Sequence, residues 1–290
     1  MTGNLRFLVN GLIFSIVWSS ASVSAKFGLR SVQPLVLYQF RFVLAAAFLL
    51  ILITILPKNR LPKGKEWRQL ALFGFLNVTV ALGLFALAIK EVAAGVGALQ
   101  VGVNPLVISI FSAVIIGRKV KVREWLALLL GIAGVFLAVY PLLGQSYVTV
   151  KGLVLLACST LAYSSAAVYF GTVKWSLSRL SINAWQAFFG ALFLLPLTFF
   201  FYQDQNEFDL RFMMSTFWLG VPISVGAVFL WITLLSEDAV KASMFLFLCP
   251  VFGFFYAWLL LDEPFTLYTL ASLIAVMIAL YIGQKKETSS

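Results

Sequence analysis

The chain has 290 residues, of which 62% are hydrophobic and only 11% are charged, whereas soluble domains usually carry about 25% charged residues. That composition excludes a water-soluble globular protein and predicts an integral membrane protein. The net charge of +10 does not indicate nucleic-acid binding, because the basic residues lie in short gaps between apolar runs, where they orient membrane proteins. The chain has no histidine, which removes the commonest metal ligand and general base. We therefore expect no metal, no other cofactor and no enzymatic activity.

Ten apolar runs of about 20 residues, the length that crosses a bilayer, follow one another along the whole chain. Backbone groups in lipid must be satisfied within their own segment, so we predict an all-α protein with ten transmembrane helices. The predicted spans are Leu5–Ala25, Leu35–Leu56, Leu70–Ile89, Ala93–Ile116, Trp125–Leu143, Leu153–Val173, Ile182–Tyr202, Phe212–Leu235, Ala239–Leu261 and Phe265–Ile282.

The basic residues are unevenly divided between the two sides of these spans. With the N-terminus in the cytoplasm, 15 lysines and arginines fall on the cytoplasmic side and 5 on the other. The positive-inside rule then predicts a multi-pass protein of the inner (cytoplasmic) membrane with both termini in the cytoplasm. The cytoplasmic set is Arg6, Lys58, Arg60, Lys63, Lys65, Arg68, Arg118, Lys119, Lys121, Arg123, Lys174, Arg179, Lys241, Lys285 and Lys286.

The first span also has the features of a signal peptide, with Arg6, the apolar run Leu8–Trp18 and the small residues Ser22–Ala25. An internal repeat argues against removal of this segment. When the sequence is displaced by 145 residues, the two halves align without a gap. The aligned pairs include Trp18-Ser19-Ser20-Ala21 with Tyr163-Ser164-Ser165-Ala166, Phe48-Leu49-Leu50 with Phe193-Leu194-Leu195, Ala94 with Ala239, and Pro105 with Pro250.

This repeat predicts two units, residues 1–145 and 146–290, of five helices each. Because five is an odd number, the second unit enters the membrane from the opposite side. Inverted repeats of this kind are typical of secondary transporters, which bind their substrate near the bilayer midplane between the two copies.

The sequence resembles the drug/metabolite transporter superfamily, EamA type, over essentially its whole length. The resemblance implies ten helices in two repeats and the transport of small organic metabolites. One difference is that this sequence has Gly117-Arg118-Lys119 where the family usually has an acidic residue after span 4. Any role that the family's carboxylate plays there could be carried in this chain only by Glu263. The matching residues are the aromatic and small residues of spans 1 and 6, Arg41-Phe42, Gly97-Ala98-Leu99 with Asn104-Pro105-Leu106, Gly131, Gly134, Pro250, and Leu261-Asp262-Glu263-Pro264-Phe265-Thr266.

Polar and aromatic side chains inside the spans are the candidates for substrate binding. Amides are costly in hydrocarbon without partners, and aromatic residues with polar tips are usually found at the membrane interfaces rather than in mid-span. Hydrogen bonding between helices or plain packing is the alternative role for each of them. The predicted substrate-binding residues are Trp18, Asn77, Gln100, Asn104, Tyr163 and Trp231.

Three further residues have predicted roles. Pro105 and Pro250 each remove a backbone donor and are predicted to break or gate their helices. Arg41 is the one charge clearly inside a span. It could bind a substrate carboxylate or phosphate, but it lies only about 10 Å from the end of span 2. We therefore favour a structural role in which its side chain reaches the membrane surface.

The sequence thus favours a transporter or facilitator that moves amino acids or similar amphipathic metabolites by alternating access, with export as the expected direction. Its partners are the small substrate and the lipid bilayer; no nucleic acid is expected, and a monomer is compatible with the sequence. An enzyme acting on lipid-linked substrates and a passive channel are the alternatives. Because there is no histidine and the carboxylates lie in loops or at span ends, we expect ordinary carboxylate pKa values and no coupling to protons.

Overall fold

The computed structural model describes residues 3–56, 59–117, 119–143, 147–231, 233–234, 237, 242 and 245–284. Of the predicted cytoplasmic basic residues, Lys58, Arg118, Lys241, Lys285 and Lys286 lie outside these ranges, as do the predicted end of span 8 at Leu235 and the start of span 9 at Ala239. The protein is all-helical, as predicted, and its long helices are numbered α1 to α10 in chain order.

The helix bounds are as follows: α1 has segments Gly3–Ser19 and Ala21–Gly28; α2 is Pro34–Ile55; α3 is Lys65–Gly74, a π-helical segment Phe75–Leu82, and Gly83–Glu91; α4 is Ala94–Ile116; α5 is Val122–Val139 with a 3₁₀ turn Tyr140–Leu142; α6 is Val150–Thr172; α7 is Arg179–Phe200; α8 is Leu210–Trp218 with a π-helical segment Leu219–Ala227; α9 is a 3₁₀ turn Phe245–Phe247 with Leu248–Leu261; and α10 is Leu267–Gln284.

The first eight helices are long and apolar enough to cross a membrane, and the described parts of α9 and α10 are shorter apolar helices. Side-chain caps fix several of the helix starts. Thr149 accepts a hydrogen bond from the backbone N–H of Gly152 at the start of α6, and Ser178 accepts one from Ser181 at the start of α7. At the other end, α4 stops at Gly117, whose φ of 74° is the left-handed conformation typical of helix ends.

The two repeats share an irregularity as well as a sequence pattern. The π-helical segment Phe75–Leu82 and its counterpart Leu219–Ala227 end at positions that are 145 residues apart. The repeats also interlock, because α2 packs on α7, α4 on α9 and α5 on α10, and each of these pairs joins equivalent helices. The two five-helix repeats therefore form one bundle. The boundary at residue 145 remains a prediction.

Small residues bring α4 and α9 into close contact, as such residues do between membrane helices. A Cβ atom at Gly253 would lie 2.1 Å from Cβ of Ala98, and one at Gly95 would lie 2.3 Å from the ring of Phe254. Gly95 and Ala98 on α4 and Gly253 on α9 therefore mark the crossing of the two helices.

A central cavity as the candidate functional site

A cavity of about 730 Å³ lies between the two repeats and is lined by residues of α1–α4 and α6–α9. Its volume is within the range of roughly 300–1,000 Å³ that small-molecule sites occupy. Eight of the nine predicted site residues line it: Trp18, Arg41, Asn77, Gln100, Asn104, Pro105, Tyr163 and Trp231. The sequence therefore located most of the residues that meet here, while their role in binding remains a prediction.

One side of the cavity is an aromatic wall formed by Phe14, Trp18 and Trp231. The rings of Phe14 and Trp231 stack with their centroids 4.9 Å apart, and the centroids of Phe14 and Trp18 are 5.8 Å apart. These distances are typical of favourable aromatic pairs. This wall offers a broad apolar surface to the flat or hydrophobic part of a ligand.

A second group of lining residues forms a polar wall: Arg41, Asn77, Asn183, Gln186 and Ser224. Asn77 Nδ2 donates to Gln186 Oε1 at 3.0 Å, and Gln186 Nε2 donates to Asn183 Oδ1 at 2.7 Å. Asn183 Nδ2 then donates to the backbone oxygen of Ser224 at 3.1 Å, and Arg41 Nε donates to Ser224 Oγ at 3.1 Å. These hydrogen bonds join α2, α3, α7 and α8, so the polar side chains are held in place before any ligand binds.

Arg41 does not reach the membrane surface. Its side chain is 6% exposed, and its guanidinium carbon lies 5.1 Å from the ring centroid of Tyr38 and 5.0 Å from that of Phe42. The sequence-based preference for a snorkelling arginine is therefore wrong. The reason is that α8 packs against this part of α2 and offers Ser224 as a partner within the bundle.

Gln100 and Asn104 differ in how well their amides are satisfied. Gln100 Nε2 donates to Thr160 Oγ1 at 2.8 Å and to Ser159 Oγ at 3.3 Å, so this amide also joins α4 to α6. Asn104 Oδ1 is buried and has no hydrogen-bond partner among the described residues. Asn104 is therefore the better placed of the two to bind a ligand donor.

The two prolines do not break their helices in the described residues. Helix α4 is continuous from Ala94 to Ile116, so the predicted break at Pro105 is absent. Because Pro105 has no N–H, the carbonyl of Val101 lacks its usual helical partner, and both residues line the cavity. Pro250 lies in the first turn of α9 and does not line the cavity. Its ring is 3.1 Å from the position that a Cβ atom at Gly102 would occupy.

The lining residues that sequence reasoning missed include four that form the two walls: Phe14, Asn183, Gln186 and Ser224. Gln186 could have been found, because it stands 145 residues after Arg41. Asn77 and Ser224 lie in the two π-helical segments, which are frequent at functional sites but leave no clear signal in the sequence.

Two carboxylates among the described residues are buried, although the sequence places them in loops or at span ends and predicts ordinary pKa values for them. Glu263 is 7% exposed and accepts hydrogen bonds from the backbone N–H groups of Ala94, at 2.5 Å, and Gly95, at 3.0 Å. Burial raises the pKa of Glu263, while these N–H groups and the Lys26 ammonium oppose the rise. Glu124 is 9% exposed at the start of α5.

The sequence matches the EamA-like transporter family twice, over residues 6–140 and 150–282. An uncharacterized transporter of Archaeoglobus fulgidus is 27% identical over 277 residues, which are 93% of this chain and 95% of that protein. A WAT1-related chloroplastic protein of Arabidopsis thaliana is 25% identical over 280 residues, 91% of this chain and 66% of that protein.

Among solved structures, one crystal structure has a TM-score of 0.66 and 15% sequence identity, and the match covers 96% of this chain and 98% of that one. At this identity the likeness shows the fold. Together with the double family match and the ten-helix bundle, it agrees with the resemblance read from the sequence motifs. The chain belongs to the EamA-like transporter family and is a multi-pass membrane transporter of small molecules.

Proposed function

We propose that this protein is a facilitator that exports small amphipathic metabolites, with amino acids and related compounds as the first candidates, across the inner membrane. The observation that carries the proposal is a cavity between the two repeats whose lining includes both the aromatic wall and the hydrogen-bonded polar wall. A ligand with one apolar and one polar end fits such a site, because each end meets a surface of its own kind.

The pairing of equivalent helices supports an alternating-access mechanism. Helices α4 and α9 cross through small residues, which let two membrane helices approach closely. In an inverted repeat, the arrangement of one copy in the inward-open state becomes that of the other copy in the outward-open state. The two states then have similar free energies, as reversible transport requires.

The lining of the cavity supports passive export down the gradient of the substrate itself. None of the described lining residues is acidic, and proton-coupled transporters usually hold a titratable group on the substrate path. Glu124 lies one hydrogen bond away from the cavity, because it accepts from Ser109 Oγ at 2.9 Å. It is the first residue to test if transport responds to pH.

The test is counterflow in proteoliposomes loaded with one unlabelled amino acid at a time, with uptake of the labelled compound as the readout. We expect saturable, competable exchange for at least one of them. Trp18→Ala should reduce the exchange at least tenfold, whereas Trp258→Ala, which alters a tryptophan that is 51% exposed outside the cavity, should not. Exchange without saturation would support a channel, chemical alteration of the substrate would support an enzyme, and equal effects of the two tryptophan variants would refute the cavity as the site.

A further inference from the structure

We infer that the cavity selects organic anions and that Arg41 binds the anionic group; this inference rests on the transport function proposed above. The ligand class is a small molecule with one carboxylate or similar anionic group at one end and an apolar, preferably aromatic, part at the other. The inference narrows the metabolites named above and favours organic acids over amino acids.

The first step concerns charge. An arginine stays protonated in proteins, and a buried charge is normally paired with an opposite charge. Arg41 is 6% exposed, yet among the described residues it contacts Ser224 Oγ and the side chains of Tyr38 and Phe42, and no described carboxylate pairs with it. The Tyr38 side chain also interacts with the guanidinium group, but neither Tyr38 nor Ser224 carries a formal negative charge. Because Arg41 lines the cavity, its uncompensated charge is available to a ligand.

The second step concerns position. The hydrogen bond to Ser224 and the two aromatic rings fix the guanidinium group but do not neutralise its charge. A held guanidinium presents parallel N–H donors at the spacing of carboxylate or phosphate oxygens. The structure therefore contains a preorganised anion-binding group without its anion.

The third step concerns the repeat. The counterpart of Arg41, 145 residues further on, is Gln186, which also lines the cavity and bonds to Asn77 and Asn183. A neutral amide side chain therefore occupies the equivalent position of the second repeat. Helix packing at this position does not require a cation, so the charge of Arg41 points to a ligand.

The fourth step concerns the other groups of the ligand. None of the lining residues that the structure describes is acidic, so a substrate ammonium would find no carboxylate partner. It would meet ring faces and neutral oxygen atoms such as Asn104 Oδ1 and the carbonyl of Val101 instead. The apolar part of an organic acid, by contrast, can pack on Phe14, Trp18 and Trp231.

The test compares three probes that share a benzene ring and a two-carbon side chain but differ in charge: phenylacetate, phenylacetamide and phenethylammonium. Binding to the purified full-length protein in detergent is measured by calorimetry and by tryptophan emission. We expect the wild type to bind phenylacetate at least tenfold more tightly than the other two, because a charge-assisted bidentate bond is typically worth that factor or more.

Arg41→Gln should lower the affinity for phenylacetate to about that for phenylacetamide while the helical circular dichroism stays unchanged, and Arg41→Lys should keep part of the preference. If Arg41→Gln gives no folded protein, Ser224→Ala serves instead, and we expect it to reduce the phenylacetate preference several-fold by releasing Arg41 Nε. Equal binding of the three probes by the wild type, tighter binding of phenethylammonium, or an unchanged preference in the variants would overturn the inference.

Counterflow with the same probes separates the two proposals. If a probe is exchanged without any preference for the anion, the transport function stands and the anion selectivity is refuted. If phenylacetate binds selectively but no compound is exchanged, the proposed function fails while Arg41 remains an anion site.

Discussion

The crossing of α4 and α9 gives a sharp prediction, because the contact between Gly253 and Ala98 leaves no room for one more methyl group. In Gly253→Ala the new Cβ would lie 2.1 Å from Cβ of Ala98, about 1.5 Å short of the 3.5–4.0 Å at which carbon atoms pack. Both atoms are close to their backbones, so the helices themselves must separate. Overpacking of this kind costs about 1–3 kcal/mol.

The assay is the apparent melting midpoint of the purified protein in one detergent, and we expect Gly253→Ala to lower it clearly. Gly171→Ala on α6 is the matched control, since nothing lies within 4 Å of its added Cβ. It should leave the midpoint unchanged or raise it slightly, because alanine stabilises helices relative to glycine. The double variant Ala98→Gly with Gly253→Ala exchanges the two residues and should recover most of the loss. Equal midpoints for Gly253→Ala and Gly171→Ala, or no recovery in the double variant, would refute the close crossing.

Three further predictions concern binding, the helix cap and orientation. Asn104→Leu should reduce counterflow at least tenfold with a normal yield of folded protein, and loss of folded protein instead would mean that this residue serves packing. Glu263→Ala should lower the melting midpoint by an amount equivalent to about 0.5–2 kcal/mol, the usual range for a lost helix cap, because it leaves two N–H groups of α4 without their acceptor. Asp262→Asn in the same loop is the control, because asparagine tolerates the φ of 55° at that position, and an equal effect of both variants would argue against the cap. Single cysteines between residues 57 and 66 and after Gln284, in a background without the native cysteines, should react with a membrane-impermeant reagent only from the cytoplasmic side, and labelling from outside would reverse the proposed orientation.

The helices were predictable because lipid imposes one strong constraint. A bilayer requires runs of about 20 apolar residues with internally satisfied backbones, and such runs can be read directly from the sequence. Boundaries differ by a few residues: the third span is predicted to begin at Leu70, but α3 begins at Lys65. The start of α3 is missed because Glu66 and Arg68 make that turn polar, although a helix can extend beyond the apolar run.

The cavity residues were predictable for a related reason, since a polar or mid-span aromatic residue in a membrane helix needs a partner, and a cavity is one place to find it. The sequence could not identify the hydrogen-bond partner of each residue. Gln100 and Asn104 are four residues apart on one helix, yet α6 satisfies the amide of Gln100 and leaves Asn104 Oδ1 free.

Glu263 shows why the loops were predicted less well. A carboxylate just beyond the end of a span is normally exposed, and the sequence offers no reason to expect otherwise. In the structure the segment after α9 folds back, with Asp262 at a φ of 55°, and places Glu263 on the start of α4. That contact joins residues about 169 positions apart, a distance over which no local pattern is informative.

The proposed ligand is asymmetric, whereas the two repeats are related in sequence and structure. The backbones of the two repeats are equivalent down to their π-helical segments, as exchange between two states requires. The side chains at equivalent positions differ. Trp18 corresponds to Tyr163, and Arg41 corresponds to Gln186. A second arginine in place of Gln186 would put two like charges on one small cavity, where they would repel each other through a medium of low dielectric constant. One arginine and one glutamine place a single charge among the described lining residues, so the proposed ligand with one anionic end would have one favoured orientation.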